Sequence, residues 1–198
     1  MENKTGRIII VTGAPGVGKT SISAVLASKL NATHIDVSEL VVKENLVVGK
    51  DEARETMIAD MGRVAERVEE IVAHSERDVV LDGHYAVNVV PKANVRRVFV
   101  LRRDPEELKP LMEARGWGGL KLWENLACEI LDVCLSDAVE ACGAEKVCEV
   151  DITRKSVQDV VAEMVEVLEN KRKCSVGIVD WLTYLEMQGR LDEFLKNF

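Results

Sequence analysis

The sequence predicts a three-layer α/β fold, a parallel sheet covered by helices on both faces, and three observations carry that expectation. Ile8-Ile9-Ile10-Val11 is an unbroken β-branched run, too apolar for a strand with one wet face and suited to the middle of a parallel sheet. Four more strand-like segments follow, separated by amphipathic helical stretches, as right-handed β-α-β crossovers require. The chain has 198 residues, of which 47% are hydrophobic, enough for one core and too few for two domains of ordinary size.

Taken in order, the first strand breaks at Gly13–Gly18, and Ser21–Leu30 reads as a helix from the spacing of Ile22, Val25, Leu26 and Leu30. Thr33–Val37 is a short second strand. Glu39–Leu46 and Asp51–His74 are charged and read as helical. Asp78–Asp82 and Val98–Leu101 are the third and fourth buried strands. Asp104-Pro105 opens a helix to Arg115, with the aspartate as cap and proline at the first position. Leu120–Ala141 reads as one long helix and Val147–Ile152 as the fifth strand. Val157, Val160, Val161, Met164, Val165 and Leu168 then form a stripe on a closing helix. After Asn170-Lys171-Arg172-Lys173, the stretch Ser175–Phe198 is a separate amphipathic tail rich in aromatics, expected either to fold back on the core or to dock a protein partner.

Composition narrows the class of function. With 34 acidic against 26 basic residues the formal charge is −8, which argues against a protein that coats nucleic acid. No apolar run is long enough to span a membrane. The polar start Met1-Glu2-Asn3-Lys4 is unlike a signal peptide, so a cytoplasmic protein is expected. Cys128, Cys134, Cys142, Cys148 and Cys174 form no Cys-x-x-Cys pair, and with only His34, His74 and His84 there is no zinc-binding spacing. They read as buried thiols in a reducing compartment.

The most specific signal is Gly13-Ala14-Pro15-Gly16-Val17-Gly18-Lys19-Thr20, a complete G-x-x-x-x-G-K-[ST] motif between a buried strand and a helix. Glycines let backbone amides turn inward around phosphates, and the helix N-terminus adds its positive pole. Lys19 would reach the β- and γ-phosphates of ATP and Thr20 would hold Mg²⁺. Asp82 closes the third strand, where a second carboxylate orients the magnesium shell, and His84 follows two residues later, as a positioning group or a structural one. The stretch between Asp36 and Asp82 is too long and helical for a GTPase switch, no Asn-Lys-x-Asp signature occurs, and two helices after the second strand suit a small kinase's acceptor-binding insertion. Arg115 beside Gly116-Trp117-Gly118-Gly119 suits a lid that brings positive charge over the phosphates.

Six stretches together resemble one family: GAPGVGKT (13–20), IDVSELVVKENL (35–46), DEARETMIAD (51–60), VVLDGHYA (79–86), VFVLRRDP (98–105) and RGWGGLKLWENLACEI (115–130). In order and spacing they are similar to the adenylate kinase 6 family, also called the Fap7 or CINAP family, in its archaeal form. The resemblance implies a P-loop core of nucleoside monophosphate kinase type with strand order 2-3-1-4-5, spanning residues 1–198 as one domain. It implies an acceptor-binding insertion at about 37–60, a lid at about 115–125, and a helical tail at 175–198. ATP binding would fall to Gly13, Gly16, Gly18, Lys19, Thr20, Ser21 and Arg115, with Thr20 and Asp82 on Mg²⁺. Lys19, Asp82, His84 and Arg115 would be the catalytic set. Asp36, Lys43, Arg54 and Asp60 are the candidate acceptor-site residues, Lys43 and Arg54 competing for the acceptor phosphate. The implied activity is transfer of the γ-phosphoryl of ATP to AMP beside a slower ATPase. The implied role is small-ribosomal-subunit maturation through the ribosomal protein uS11 and the subunit precursor. Arg96-Arg97 and Lys171-Arg172-Lys173 could then touch rRNA phosphates, or merely cap helix ends. Two alternatives stay open: an ATP-switched assembly factor with little AMP turnover, and a kinase for another small acceptor such as CMP. The sequence departs from adenylate kinases at large, which carry an arginine four residues before the lid arginine. Leu111 stands there, with Lys109 the nearest cation, and Val42 replaces an arginine of the eukaryotic members, with Lys43 beside it.

Overall fold

The computed structural model describes residues 7–54 and 56–195; Met1–Lys4 and Phe198 of the tail lie outside them. Five strands make one sheet: β1 (Ile8–Thr12), β2 (Thr33–Asp36), β5 (Val79–Asp82), β6 (Val95–Arg102) and β7 (Val147–Asp151), in the order β2-β5-β1-β6-β7 and parallel throughout. Leaving aside the hairpin described below, that is the order 2-3-1-4-5. The β-branched run sits at the centre because both its faces are covered. Ile9, Val11, Val80, Phe99 and Leu101 point into one core layer, and Ile8, Ile10, Val79, Leu81, Val98 and Val100 into the other.

Helices α1 (Lys19–Leu30) and α7 (Val157–Leu168) cover the first layer. The second is covered by α2 (Val37–Lys43), α3 (Met61–Ala73) and α6 (Val133–Cys142). Between β6 and α6 lie α4 (Pro105–Glu113) and α5 (Gly119–Ile130). Short side chains stop and start these helices. Asp36, Asp60, Asp104 and Ser156 accept from amides in the first turns of α2, α3, α4 and α7. Among the described residues no helix is long and apolar enough to cross a membrane, and all five cysteines are free thiols.

Two segments depart from the sequence expectation. Asp51–His74 is not continuously helical, and the insertion is not a pair of helices before Asp60. Residues β3 (Val47–Asp51) and β4 (Thr56–Ala59) form an antiparallel hairpin, and helix resumes only at Met61. The runs Val47-Val48 and Thr56-Met57-Ile58 are short and β-favouring, and that local preference outweighs the charge pattern around them. The long helix over Leu120–Ala141 is two helices, because Asp132 adopts a left-handed conformation at φ +56°.

The break has a physical cause. Arg102, 2% exposed, ends β6 with its guanidinium inside the protein. Nε donates to Glu129 Oε1 at 2.8 Å, Nη1 to Glu149 Oε1 at 2.5 Å, and Nη2 to the Glu129 carbonyl at 3.0 Å and to Asp132 Oδ1. Burial pushes the Glu129 carboxyl up and the guanidinium opposes it. Turning the chain at Asp132 lets its carboxylate share the same cation.

The tail folds back, as one of the two expected outcomes had it, in α8 (Trp181–Met187) and α9 (Leu191–Leu195). Trp181, Leu185 and Phe194 are buried in the first core layer. Trp181 Nε1 donates to Glu129 Oε1 at 3.0 Å, and the Ile178 amide to Glu149 Oε2 at 2.8 Å, so the tail closes over the Arg102 cluster. Removing the cation should strand two buried carboxylates. Arg102→Met is expected to lower unfolding free energy in urea titrations by about 3–5 kcal/mol. Adding Glu129→Gln and Glu149→Gln to that variant should recover much of the loss.

Candidate nucleotide-binding site

The phosphate loop leaves β1 at Gly13, whose φ is +139° and whose hypothetical Cβ would lie 2.5 Å from the Leu101 carbonyl oxygen of β6. Only glycine fits there, so the loop lies directly against the neighbouring strand. Gly18, at φ +114°, turns the chain into α1. The N-terminus of this twelve-residue helix therefore opens at the C-terminal edge of the sheet, where its free amides and dipole favour an anion. Lys19 is its first residue. Its Nζ donates to the Gly13 and Ala14 carbonyls at 2.9 and 3.0 Å, and burial lowers its pKa. The ammonium is folded over the loop whose phosphates it would bind.

One residue on, Thr20 Oγ1 lies 3.0 Å from Asp36 Oδ2 and 3.0 Å from Asp82 Oδ2. A hydroxyl carries one proton, so it can satisfy one carboxylate at a time. The three converging oxygens are a hard donor set short of positive charge, and they fit Mg²⁺, which takes one or two carboxylates and completes its shell with water and phosphate. Among the described residues no group of three or more His, Cys, Asp or Glu forms a self-sufficient metal cage.

A histidine overlooked in the sequence completes the group. His34 Nε2 lies 2.5 Å from Asp82 Oδ1, and that hydrogen bond raises the imidazole pKa. Strand periodicity could have found it, because His34 and Asp36 share a face of β2 beside Asp82, and Asp36 and Asp82 are register partners. The hydrogen bonds to the Asp82 carboxylate come from Thr20 and His34, not from His84. The His84 ring centroid is 3.6 Å from that of Tyr85, its carbonyl accepts from Thr12 Oγ1 at 3.4 Å, and burial, aided by Lys19, pushes its pKa down to about 4. At neutral pH it is an uncharged imidazole beside the loop.

The lid arginine stands opposite. A Cβ on Gly16 would lie 3.5 Å from Arg115 Nη1, which places this cation over the loop. Its guanidinium is 5.8 Å from the Trp117 ring centroid. The expected lid at 115–125 comprises the end of a turn over 114–116, the irregular residues Trp117 and Gly118, and the first half of α5. The Lys109 ammonium lies 4.9 Å from the Trp123 ring of α5 and 5.7 Å from the Phe194 ring of the tail, between the two.

Of the four acceptor-site candidates the structure brings only Asp36 to the loop, where it also caps α2. Asp60 caps α3 by accepting from the Arg63 amide at 3.2 Å. Arg54 is not presented as a free cation, because its guanidinium is bound to Glu124 and Asp51. Lys43 is exposed in the last turn of α2, and Ser21 is exposed on the first turn of α1.

The two histidines near Asp82 should separate by titration. In NMR of the metal-free protein, His84 is expected to stay neutral until about pH 4 and His34 to titrate above the usual histidine value. Because the folded pKa of His84 is depressed, its contribution to stability is present above about pH 6.5 and is lost as the pH falls toward 4.

Residues 9–132 match the family described as "AAA domain". The chain is 38% identical to the "Putative adenylate kinase" of Methanocaldococcus jannaschii, covering 87% of this chain and 92% of that one. With the protein of the same name from Saccharolobus solfataricus it shares 36% identity, covering 96% of this chain and 95% of the other. The fold resembles shikimate kinase from Aquifex aeolicus, with a TM-score of 0.52 at 19% identity over 83% and 97% of the two chains. It also resembles thymidylate kinase from Candida albicans, with a TM-score of 0.54 at 13% identity over 84% and 92%. With the phosphate loop, the sheet order and these relatives in agreement, the chain belongs to the AAA-domain family of P-loop proteins, within its archaeal adenylate-kinase-like group.

Proposed function

We propose that this protein is a Mg²⁺-dependent nucleoside monophosphate kinase that transfers the γ-phosphoryl group of ATP to AMP, giving two ADP, with a slower ATPase activity. The observation that carries this reading is the convergence on one loop of Lys19, the Thr20–Asp82–Asp36 oxygens and Arg115. Phosphoryl transfer needs positioning and charge neutralisation more than a strong base, and this set offers both. Lys19 and Arg115 draw charge from the transferring group from two sides. Thr20, Asp82 and Asp36 would hold the metal, which when bound supplies further neutralisation of the phosphates. His84, neutral at physiological pH, can accept or donate one hydrogen bond beside the loop without adding charge. Gly13, Gly16, Gly18 and Ser21 complete the ATP site, and Lys43 is the one acceptor-site cation not engaged elsewhere among the described residues.

A second reading has its own observation. Arg54 is paired with carboxylates and Lys109 lies between the Trp123 and Phe194 rings, so the acceptor side is poor in free cations. That favours an ATP-switched factor in which hydrolysis, not AMP turnover, is the output. By the family resemblance it would act in the cytoplasm on small-subunit maturation, through uS11 and the rRNA-containing precursor. A kinase for CMP is separated from both by varying the acceptor at fixed ATP.

ADP formation from Mg-ATP, with and without AMP, decides between the readings. Under the kinase reading AMP multiplies ADP production, and Lys19→Ala lowers the rate by about 10²–10³-fold, as loss of a preorganised charge donor does. Slow, Lys19-dependent hydrolysis indifferent to AMP, and stimulated by uS11, would replace it with the switch reading.

A further inference from the structure

The hairpin of the insertion touches the lid through one side chain. Arg54 sits in the turn between β3 and β4. Its Nε donates to Glu124 Oε2 at 2.8 Å and its Nη2 to Glu124 Oε1 at 2.5 Å, a two-pronged pair with a carboxylate on α5. The third nitrogen, Nη1, donates to Asp51 Oδ2 at 2.9 Å, and the Arg54 amide to Asp51 Oδ1 at 3.1 Å. Thr56 Oγ1 donates to the Arg54 carbonyl at 2.9 Å. The guanidinium is thus fixed to its own hairpin while it grips the opposite helix.

Little else anchors the hairpin. Val48, Gly49, Lys50, Met57 and Ile58 are exposed, and among the described residues of the hairpin only Val47 and Ala59 at its base pack on the core. Among the described residues no other side chain of 47–59 hydrogen-bonds outside that segment. The two ends of the pair belong to the two flanks of the phosphate loop. The insertion starts at Asp36, 3.0 Å from Thr20, and α5 continues from the turn that carries Arg115 over Gly16.

We propose that Arg54 and Glu124 form a latch joining the acceptor-binding insertion to the lid helix, so that the two flanks of the nucleotide site close as one unit. They are positioning residues for a phosphate-bearing acceptor, a nucleoside monophosphate under the reading above, on which the kinetic part of this inference rests. Arg54 acts through Glu124 and not as a ligand of the acceptor. Because the pair is solvent-exposed it is screened by salt and modest in strength, which leaves the latch able to open in each cycle.

Hydrogen exchange of the full chain without nucleotide reads the latch directly. Peptides covering 47–59 should exchange roughly 2–5-fold faster in Glu124→Gln and in Arg54→Gln, the range an exposed ion pair supports. The double variant should be no faster than either single one, and the charge swap Arg54→Glu with Glu124→Arg should restore slow exchange. In turnover, KM for AMP should rise by roughly the same factor in both single variants, with kcat little changed. Unchanged exchange in Glu124→Gln overturns the latch whatever the activity. A KM effect of Arg54→Gln that Glu124→Gln lacks overturns it in favour of direct binding by Arg54. If the wild type shows no acceptor-dependent turnover, the kinase reading fails and exchange alone decides the latch.

Discussion

The site hangs on the last two residues of β6. The Leu101 carbonyl meets Gly13 so closely that no side chain fits between them, and this contact sets where the phosphate loop leaves the sheet. The next side chain, Arg102, reaches the other way and gathers Glu129, Glu149, Asp132 and, through the two glutamates, Trp181 and Ile178. The same strand end therefore fixes the loop and the far end of the lid helix. A buried ionic cluster is a poor source of net stability, since desolvating each charge costs several kcal/mol or more. Its use here is geometric: it accepts only one ending for α5, one start for α6 and one path for the tail.

That arrangement also seats the tail. Lys109 of α4 lies against the rings of Trp123 on α5 and Phe194 on α9, and Arg190 pairs with Glu106 at the start of α4. The two helices that flank the lid turn are thus braced from behind by the C-terminal segment. Between them Gly116 has φ +78°, and Gly119, the first residue of α5, has φ +54°. The segment that carries Arg115 therefore lies between two helices seated on the same C-terminal segment.

Much of this was legible in the sequence, for identifiable reasons. A four-residue β-branched run and a complete phosphate-loop motif are strong local signals, and both fell where expected. The hairpin at 47–59 was not legible, because two short strands set among charged residues look like an exposed helix when only periodicity is read. The break at Asp132 was hidden because its cause, Arg102, lies thirty residues earlier in the chain. His34 and the Arg54–Glu124 pair were missed for the same reason: each is defined by a partner 48 or 70 residues away. Local propensity does not encode such separations.

The balance of charge around the loop follows from these long-range pairings. Three carboxylates, Asp36, Asp82 and Glu124, each meet a different partner: Thr20, His34 and Arg54. Two of those partners offset little or no charge: the hydroxyl is neutral, and the imidazole is partly exposed. The site is therefore left electronegative where a metal would sit and electropositive only at Lys19 and Arg115, on the phosphate side. Under the proposed function Lys19 and Arg115 would meet the phosphates, and Thr20, Asp36 and Asp82 would hold the metal beside them. Under the proposed function this arrangement would position the triphosphate and its metal together, which is what a reaction governed by positioning demands.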